Sequence, residues 1–437
     1  MSPAELLPSL FNALPDSAVG GVNSGDTYVN RASAPEYDAV ANLLQFVRWA
    51  PVSNETYLFS GLRGSGKTTE LNRLITELRN DGIAAYYCDA TTYLNLNDPQ
   101  LSLAELLMTA LAGLADATRK EFGENFLQDN IWQRTKRLLK SDIELKPSLK
   151  IELSGVEAEV EATLKENPDF RKALVDFAGS STAFYDAAIG YADEVASLIR
   201  TRTNCQKIVL VVDSLERLSA PTGDERRLFD SFKELFFNDP TRLRFPGFSV
   251  VYSAPPYLHA VLSNVAAGFS QTVALPNFKV IQRPLGTAAP DRNAEGIAKM
   301  VDIVARRFAP WRQVFGRAVI EELAWLSGGN VRRFFSLVRG AARKSALSNT
   351  ALPIDDPQAA PILHAISEAA QPLQWLNATD RLWLTRFMND GENPATYIED
   401  LTTDLPSIIR LFDHSLVLDY QNGSVWYQVP QLVRANV

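Results

Sequence analysis

The chain of 437 residues has little cysteine and little histidine, with two and three copies respectively. Two cysteines, Cys88 and Cys205, are too few for a disulfide framework, and no Cys/His spacing typical of a zinc site occurs. Both thiols are predicted to be buried, in or beside strands, in a reducing compartment. The composition therefore excludes a small secreted disulfide scaffold and a zinc-finger module.

Long apolar runs and a targeting segment are also missing. No apolar run reaches the roughly 18 residues that a membrane helix needs, and residues 1–17 lack the basic start and apolar stretch of a signal peptide. These absences predict a cytoplasmic protein without a membrane partner.

Excess positive charge is the third absence, because the formal net charge is −8. Binding to nucleic acid depends on clustered Lys and Arg, so the whole-protein field disfavours such a partner, although local basic patches are compatible with it. The length predicts two or three domains, each able to bury a core of its own.

One stretch carries the clearest chemistry. Residues 57–69 read YLFSGLRGSGKTT, and Gly61, Gly66, Lys67 and Thr68 fit the P-loop pattern G-x-x-x-x-G-K-[ST] between an apolar strand and an amphipathic helix. Glycines let the loop turn its N–H groups towards a polyphosphate. Lys67 is predicted to reach the β and γ phosphates, and the Thr68 hydroxyl to bind Mg²⁺. The predicted contacts with ATP are Gly61, Arg63, Gly64, Ser65, Gly66, Lys67, Thr68 and Thr69.

A second apolar strand ends in an acid. Lys207–Asp213 has five apolar residues followed by Asp213, which we interpret as the Walker B carboxylate and the second Mg²⁺ ligand. Ser214 follows it, so the nearest carboxylate that could act as a general base is Glu216. A helix-start role for Glu216, favoured by the helix dipole, is the alternative.

Strands alternate with helical patterns up to about residue 283. Strands are predicted at 57–59, 83–89, 207–213, 248–253 and 273–281, which indicates an α/β fold, a parallel P-loop NTPase sheet with helices on both faces. Ser253 ends one of them in the place of a γ-phosphate sensor. An ordinary serine at a strand end is the alternative.

Residues 118–180 are rich in charged residues, and the spacing of their apolar residues changes from the helical period to the alternation of a strand. Alternation between residues 143 and 162 predicts a β-hairpin that turns near Ser154 and Gly155, inserted in the core. A partner-contacting arm and a merely solvated charged face are both open interpretations. A helix is predicted from Asn167 to about Thr201.

Helical patterns replace strands after about residue 286. Gly328 and Gly329 end one helix, Asn330 caps the next, and Arg332 and Arg333 lie in its first turn, where cations oppose the helix dipole. Contact with a γ-phosphate would explain this placement, and solvated charge is the alternative.

The C-terminal part has the outline of a winged helix. Three short helices are predicted from Ala378, followed by a hairpin over 416–429 that turns at Asn422 and Gly423. Residues 380–434 contain eight acidic residues and only four arginines. This charge disfavours a DNA groove and favours contact with protein.

The order of these parts resembles the AAA+/STAND P-loop ATPases and, within them, the Orc1/Cdc6 arrangement. The predicted parts are an N-terminal segment (1–27), a P-loop core (28–283), a helical lid (284–350) and a winged-helix-like domain (362–437). The resemblance implies that Tyr28, Val29 and Arg31 pack over adenine. It also implies that Ser253 is sensor 1 and that Arg332, or else Arg333, is sensor 2.

The sequence departs from that family in two places. Residues 254–278 contain no arginine, so the usual arginine finger is missing, and Ala254 stands near the place of the STAND arginine. The form Asp213-x-Leu-Glu216 and the charged insertion resemble those of bacterial ATPases often associated with anti-phage defence. This resemblance implies a slowly hydrolysing ATP switch that controls contact with a protein partner or effector subunit, with self-association left open. A DNA-binding initiator or transposition regulator, and a nucleotide-locked scaffold without turnover, are the alternatives.

Overall fold

The strand that precedes the phosphate loop lies inside a five-stranded sheet in a computed structural model of the chain, where the order is β2-β3-β4-β1-β5. The structure describes residues 3–15, 25–51, 54–127, 131–145, 164–165, 168–221, 223–262, 268–284, 290–389, 403–422 and 424–436. The strands of the sheet are β1 (Thr56–Ser60), β2 (Ala84–Asp89), β3 (Ile208–Asp213), β4 (Ser249–Ala254) and β5 (Gln271–Ala274).

Eight described helices lie between or beside these strands in the sequence: α2 (Ala39–Trp49), α3 (Lys67–Asn80), α4 (Leu103–Phe122), α5 (Ile131–Leu145), α6 (Pro168–Ser180), α7 (Ala183–Thr203), α8 (Glu225–Lys233) and α9 (Tyr257–Val261). The first helix, α1 (Pro3–Ala13), packs instead on the later helix Val331–Leu347. The helix α4 begins with a capping box, in which Ser102 and Glu105 exchange hydrogen bonds between side chain and backbone.

Pairing is parallel between β1 and β4, β4 and β3, and β3 and β2. All residues of β1, β3 and β4 are buried, as expected for apolar strands covered on both faces. Because β4 separates β1 from β3, the strand that leads into the phosphate loop and the strand that ends in Asp213 are not neighbours. The predicted α/β fold class is confirmed.

Three predicted elements differ in the structure. The fifth strand spans only Gln271–Ala274, so most of the predicted strand 273–281 is irregular backbone. The helix predicted from Asn167 is two helices, α6 and α7. Residues 143–145, where the hairpin was predicted to begin, end helix α5, and residues 146–163 lie outside the described part of the chain.

Helices dominate the C-terminal third, followed by one hairpin. The elements are α10 (Ala294–Arg307), α11 (Arg317–Ser327), α12 (Val331–Leu347), α13 (Ala360–Ala370), α14 (Ala378–Asn389), α15 (Asp404–Asp413), β6 (Leu418–Asn422), β7 (Ser424–Gln428) and α16 (Gln431–Arg434). The antiparallel pairing of β6 with β7 confirms the predicted hairpin, while Gly423 of the predicted turn lies outside the described residues. Residues 390–402, where one of the three short helices would lie, are outside the described ranges.

Contacts divide the chain into two units. The sheet unit comprises Val40–Ser60 and Leu71–Val273, and the lid unit comprises Met1–Ala39, Gly61–Glu70 and Ala274–Val437. The phosphate loop thus belongs, by its contacts, with the lid and the winged helix.

Membrane crossing and the two cysteines were both addressed by the sequence. Among the described helices, none has both the length and the hydrophobicity that a membrane crossing requires. Cys88 is buried in β2 as predicted, whereas Cys205 is only half-buried, between α7 and β3.

Candidate nucleotide site

The phosphate loop has the backbone of an anion cradle. Gly64 and Gly66 have φ values of +78° and +98°, a region that glycine enters at little cost. Ser65, between them, is buried, and α3 begins immediately after the loop at Lys67. The N–H groups of the first turn of α3, which includes Thr68 and Thr69, lie at the positive end of the helix dipole, which favours an anion.

Lys67 is buried within the loop. Its ammonium group donates hydrogen bonds to the carbonyl oxygens of Gly61 at 2.7 Å and Leu62 at 2.9 Å, and the residue is only 4% exposed. A buried ammonium group requires such acceptors. Phosphate oxygens would supply stronger, charge-assisted acceptors in the same place.

Residues 28–31, before the first strand, reach the phosphate loop through Glu70, a buried residue on α3. The Tyr28 hydroxyl lies 3.2 Å from both carboxylate oxygens of Glu70, and Arg31 Nε lies 3.4 Å from Oε1. Arg31 Nη1 also donates to the carbonyl of Pro276 at 2.8 Å. A Cβ added to Gly66 would lie 3.0 Å from Arg31 Nη2. Arg31 is therefore beside the phosphate loop, while Val29 is half-buried in the same segment.

The start of α12 contacts the outer side of the loop. Asn330 caps this helix by accepting from the Arg333 N–H at 3.1 Å, and its Nδ2 donates to the carbonyl of Arg63 at 2.9 Å. The Arg332 N–H donates to the carbonyl of Gly64 at 3.2 Å. The winged helix adds a third bond, from Ser415 Oγ to the same Arg63 carbonyl at 3.1 Å.

The two candidate sensor 2 arginines have different surroundings. The side chain of Arg332 is exposed, and its Cβ lies 2.6 Å from where a Cβ on Gly64 would be. The guanidinium of Arg333 instead donates to the carbonyls of Ser415 at 2.8 Å and His414 at 3.4 Å, just past the end of α15. Cations stabilise the C-terminal end of a helix. The structure thus places Arg332 at the phosphate loop and Arg333 on the winged helix.

This difference predicts separate effects for two matched variants. Arg332→Ala should slow single-turnover ATP hydrolysis by about 10-fold or more, because a cation at developing phosphate charge contributes a few kcal/mol. Arg333→Ala should leave hydrolysis within about threefold of the wild type but increase hydrogen exchange in residues 404–413, where the helix loses its capping cation. Equal slowing by both variants would contradict the assignment.

The carboxyl ends of β3 and β4 bring together the polar residues of the sheet unit. Asp213 Oδ2 accepts from the Tyr87 hydroxyl at 2.9 Å, and Oδ1 accepts from the Ser214 N–H at 2.7 Å. Burial, together with the negative charge of Asp213, raises the pKa of Tyr87, so that its hydroxyl stays a donor. Ser253 Oγ accepts from the Leu215 N–H at 2.9 Å.

Ser214 has an unusual backbone for its residue type, with φ +74° and ψ 10°. Such conformations cost a non-glycine residue energy and often mark functional sites. They redirect the chain into the 3₁₀ turn Leu215–Arg217, in which Glu216 is 6% exposed. Both interpretations of Glu216, as a general base and as a glutamate at the start of a helix, agree with this position.

These side chains suit magnesium. Among the described residues, no group of three or more His, Cys, Asp or Glu could hold a metal. The carboxylate of Asp213 in the sheet unit and the hydroxyl of Thr68 in the lid unit are each hard oxygen groups of the kind that bind Mg²⁺.

Sequence reasoning did not identify Tyr87, Asn277, Ser415 or Asp419 as site residues. Tyr87 lies in β2, a strand that carries no motif. Its pairing with Val211 of β3 places it near Asp213. Asn277 lies in residues that look like a strand, and Ser415 and Asp419 lie more than 340 residues after the loop in the sequence.

Comparison with known proteins gives likeness of fold only. No protein-family model and no curated protein sequence matches the chain. The Aeropyrum pernix ORC2 protein, solved in its ADPNP-ADP complexes, is 12% identical over 95% of this chain and 98% of its own, with a TM-score of 0.39. CDC6P of Pyrobaculum aerophilum is 12% identical over 95% and 96%, with a TM-score of 0.36. The RuvB Holliday junction branch migration motor of Thermotoga maritima is 12% identical over 96% of both chains, with a TM-score of 0.36. The solved structures that resemble this chain over nearly its full length thus include the ORC and Cdc6 proteins that the sequence-based resemblance named.

Proposed function

We propose that this protein is an ATP-binding switch of AAA+/STAND type that hydrolyses ATP slowly and controls contact between its winged helix and a protein partner. The observation that carries the proposal is the hydrogen bonding of the phosphate loop. The carbonyl of Arg63 accepts from both Asn330 of the lid and Ser415 of the winged helix. Any movement of the loop on binding phosphate therefore reaches both elements directly.

The proposed division of roles follows the chemistry of each group. The loop N–H groups and Lys67 bind the phosphates, and Thr68 and Asp213 hold Mg²⁺, which neutralises phosphate charge. Glu216 orients the attacking water, Ser253 positions the turn after Asp213, and Arg332 senses the γ-phosphate. Tyr28, Val29 and Arg31 form the wall of the nucleotide site contributed by the N-terminal segment.

A protein partner fits the surface of the winged helix better than DNA does. Besides its acidic excess, the described residues of this part of the chain include four exposed large apolar side chains, Leu363, Trp375, Leu382 and Val425, at 42%, 44%, 51% and 43%. Exposed aromatic and aliphatic groups on an acidic surface suit protein contact, and the phosphate backbone of DNA would be repelled. An effector subunit of an anti-phage defence system is the specific partner that we propose.

Binding and turnover can be measured in one series. Wild type should bind ATP and ADP in the presence of Mg²⁺ and show slow single-turnover hydrolysis, which Glu216→Gln should reduce by about 100-fold or more if Glu216 is the base. Light scattering with and without ATP and Mg²⁺ reports any change in assembly. Absence of nucleotide binding at millimolar concentration would refute the proposal.

Two other outcomes would favour the alternatives. Tight nucleotide binding with equally negligible hydrolysis by wild type and Glu216→Gln would indicate a scaffold without turnover. Salt-sensitive binding of duplex DNA at physiological ionic strength would indicate an initiator-type function.

A further inference from the structure

A carboxylate is buried in the first strand of the winged-helix hairpin. Asp419 lies on β6 and is only 4% exposed. Its Oδ1 accepts from Asn277 Nδ2 at 2.8 Å, and its backbone carbonyl accepts from the Asn277 N–H at 3.1 Å. Asn277 is itself 3% exposed. One asparagine, in the segment that leads from β5 to the lid, thus binds this part of β6 at two points.

Asn277 also connects β6 to the phosphate loop. Its Oδ1 accepts from Asn330 Nδ2 at 3.4 Å, the group that donates to the Arg63 carbonyl. The residue before it, Pro276, accepts from Arg31, and the residue after it, Phe278, lies under the Arg31 guanidinium, 4.8 Å from the ring centroid. Residues 276–278 therefore form one layer of chain that contacts both Arg31 and Asp419.

Two cations act on Asp419 through this layer, Lys67 of the phosphate loop and Arg31 of the N-terminal segment. Burial raises the pKa of Asp419 to about 6, whereas the positive charges of Lys67 and Arg31 act in the opposite direction. The other titratable groups that face it are Tyr420 and Tyr427, which stay neutral because burial raises the pKa of each. Asp419 is consequently a buried acidic group of the winged helix whose pKa responds to the predicted phosphate-binding cations.

We propose that Asp419 is an internal counter-anion for Lys67 and, in addition to Glu70, for Arg31, and that nucleotide phosphate competes with it for these cations. The inference rests on the proposed function, because the competing anion is the bound nucleotide. A buried carboxylate and a polyphosphate repel each other strongly where water is excluded. Phosphate binding therefore weakens the attachment of β6 to Asn277, and the attached hairpin lowers the affinity for nucleotide by the same factor.

The test is the isosteric variant Asp419→Asn, which keeps an oxygen that can accept from Asn277 but removes the charge. At pH 7.5 it should bind ATP and ADP about 10-fold more tightly than the wild type, measured by titration calorimetry with Mg²⁺. At pH 5 the advantage should fall below about twofold, because the wild-type carboxyl is then protonated. Asp413→Asn makes the same charge change in the same module and should leave the affinity unchanged.

A nucleotide-free measurement checks the buried charge separately. A carboxyl whose pKa is raised by folding contributes stability at low pH that is lost as the pH rises through about 6. Asp419→Asn should therefore melt at a higher temperature than the wild type at pH 7.5 and at a similar temperature at pH 4. In the wild type, ATP should also increase hydrogen exchange in residues 418–422.

The outcomes separate the two proposals. If the wild type binds nucleotide and Asp419→Asn binds it with equal or weaker affinity at pH 7.5, the counter-anion proposal is wrong and the proposed function stands. If the wild type binds no nucleotide, both are wrong, even if the melting temperatures behave as described.

Discussion

Lys67→Ala is expected to weaken the binding of ATP and of ADP by about 100-fold, or about 2.7 kcal/mol. The size follows from the loss of charge-assisted hydrogen bonds to phosphate, each worth about 1.5–3 kcal/mol. The ammonium group is already desolvated in the loop, where it is 4% exposed and bonded to the carbonyls of Gly61 and Leu62. Little further desolvation is then needed when phosphate arrives.

Lys207→Ala is a matched control for this variant. Lys207 also donates to two backbone carbonyls, those of Val47 at 3.1 Å and Arg48 at 2.6 Å, but it precedes the amino end of β3. It should lose stability without losing affinity for nucleotide. Titration calorimetry on folded samples of both variants decides the matter, and affinities within threefold of the wild type for Lys67→Ala would rule out a phosphate-binding role.

Gly329→Ala is expected to destabilise the lid unit by about 3 kcal/mol or more. Gly329 has φ +85°, and a Cβ placed on it would lie 1.9 Å from the carbonyl oxygen of Phe278. The oxygen belongs to backbone, so the clash cannot be relieved by a change of rotamer. The lid would have to move away from the segment 275–278, which also carries Asn277.

Gly82→Ala separates the strain of the backbone from the clash. Gly82 has φ +73°, and nothing lies within 4 Å of its Cβ position, so alanine there should cost only about 1–2 kcal/mol. Scanning calorimetry should show a fall in melting temperature of roughly 6 °C or more for Gly329→Ala and a clearly smaller fall for Gly82→Ala. Equal falls would mean that the contact with Phe278 contributes nothing.

Local sequence was sufficient wherever the structure depends on neighbours along the chain. The glycines of the phosphate loop and the Asn330 cap both follow from residue types at fixed spacing. The hairpin around Asn422 follows in the same way, because Asn-Gly between two alternating runs is a strong local signal for a hairpin.

Prediction failed in residues 275–281, which have the apolar composition of a strand. Pro276 has no N–H for a sheet ladder, and the backbone groups of this segment are bonded elsewhere. The Pro276 carbonyl accepts from Arg31, and the Asn277 and Phe278 N–H groups donate to Asp419 and Gly329. None of these partners is nearby in the sequence, so no local pattern could have identified them.

The sequence by itself determined the phosphate loop, the strand that ends in Asp213 and the α/β class, because each depends on residue type, spacing and periodicity within about 15 residues. The tertiary structure alone decided which arginine of the pair Arg332 and Arg333 lies at the loop. It also decided that the loop is hydrogen-bonded to the winged helix, and that Asp419 is buried against Asn277. These outcomes depend on packing between segments hundreds of residues apart, where burial and partner geometry, rather than local preference, set the energy.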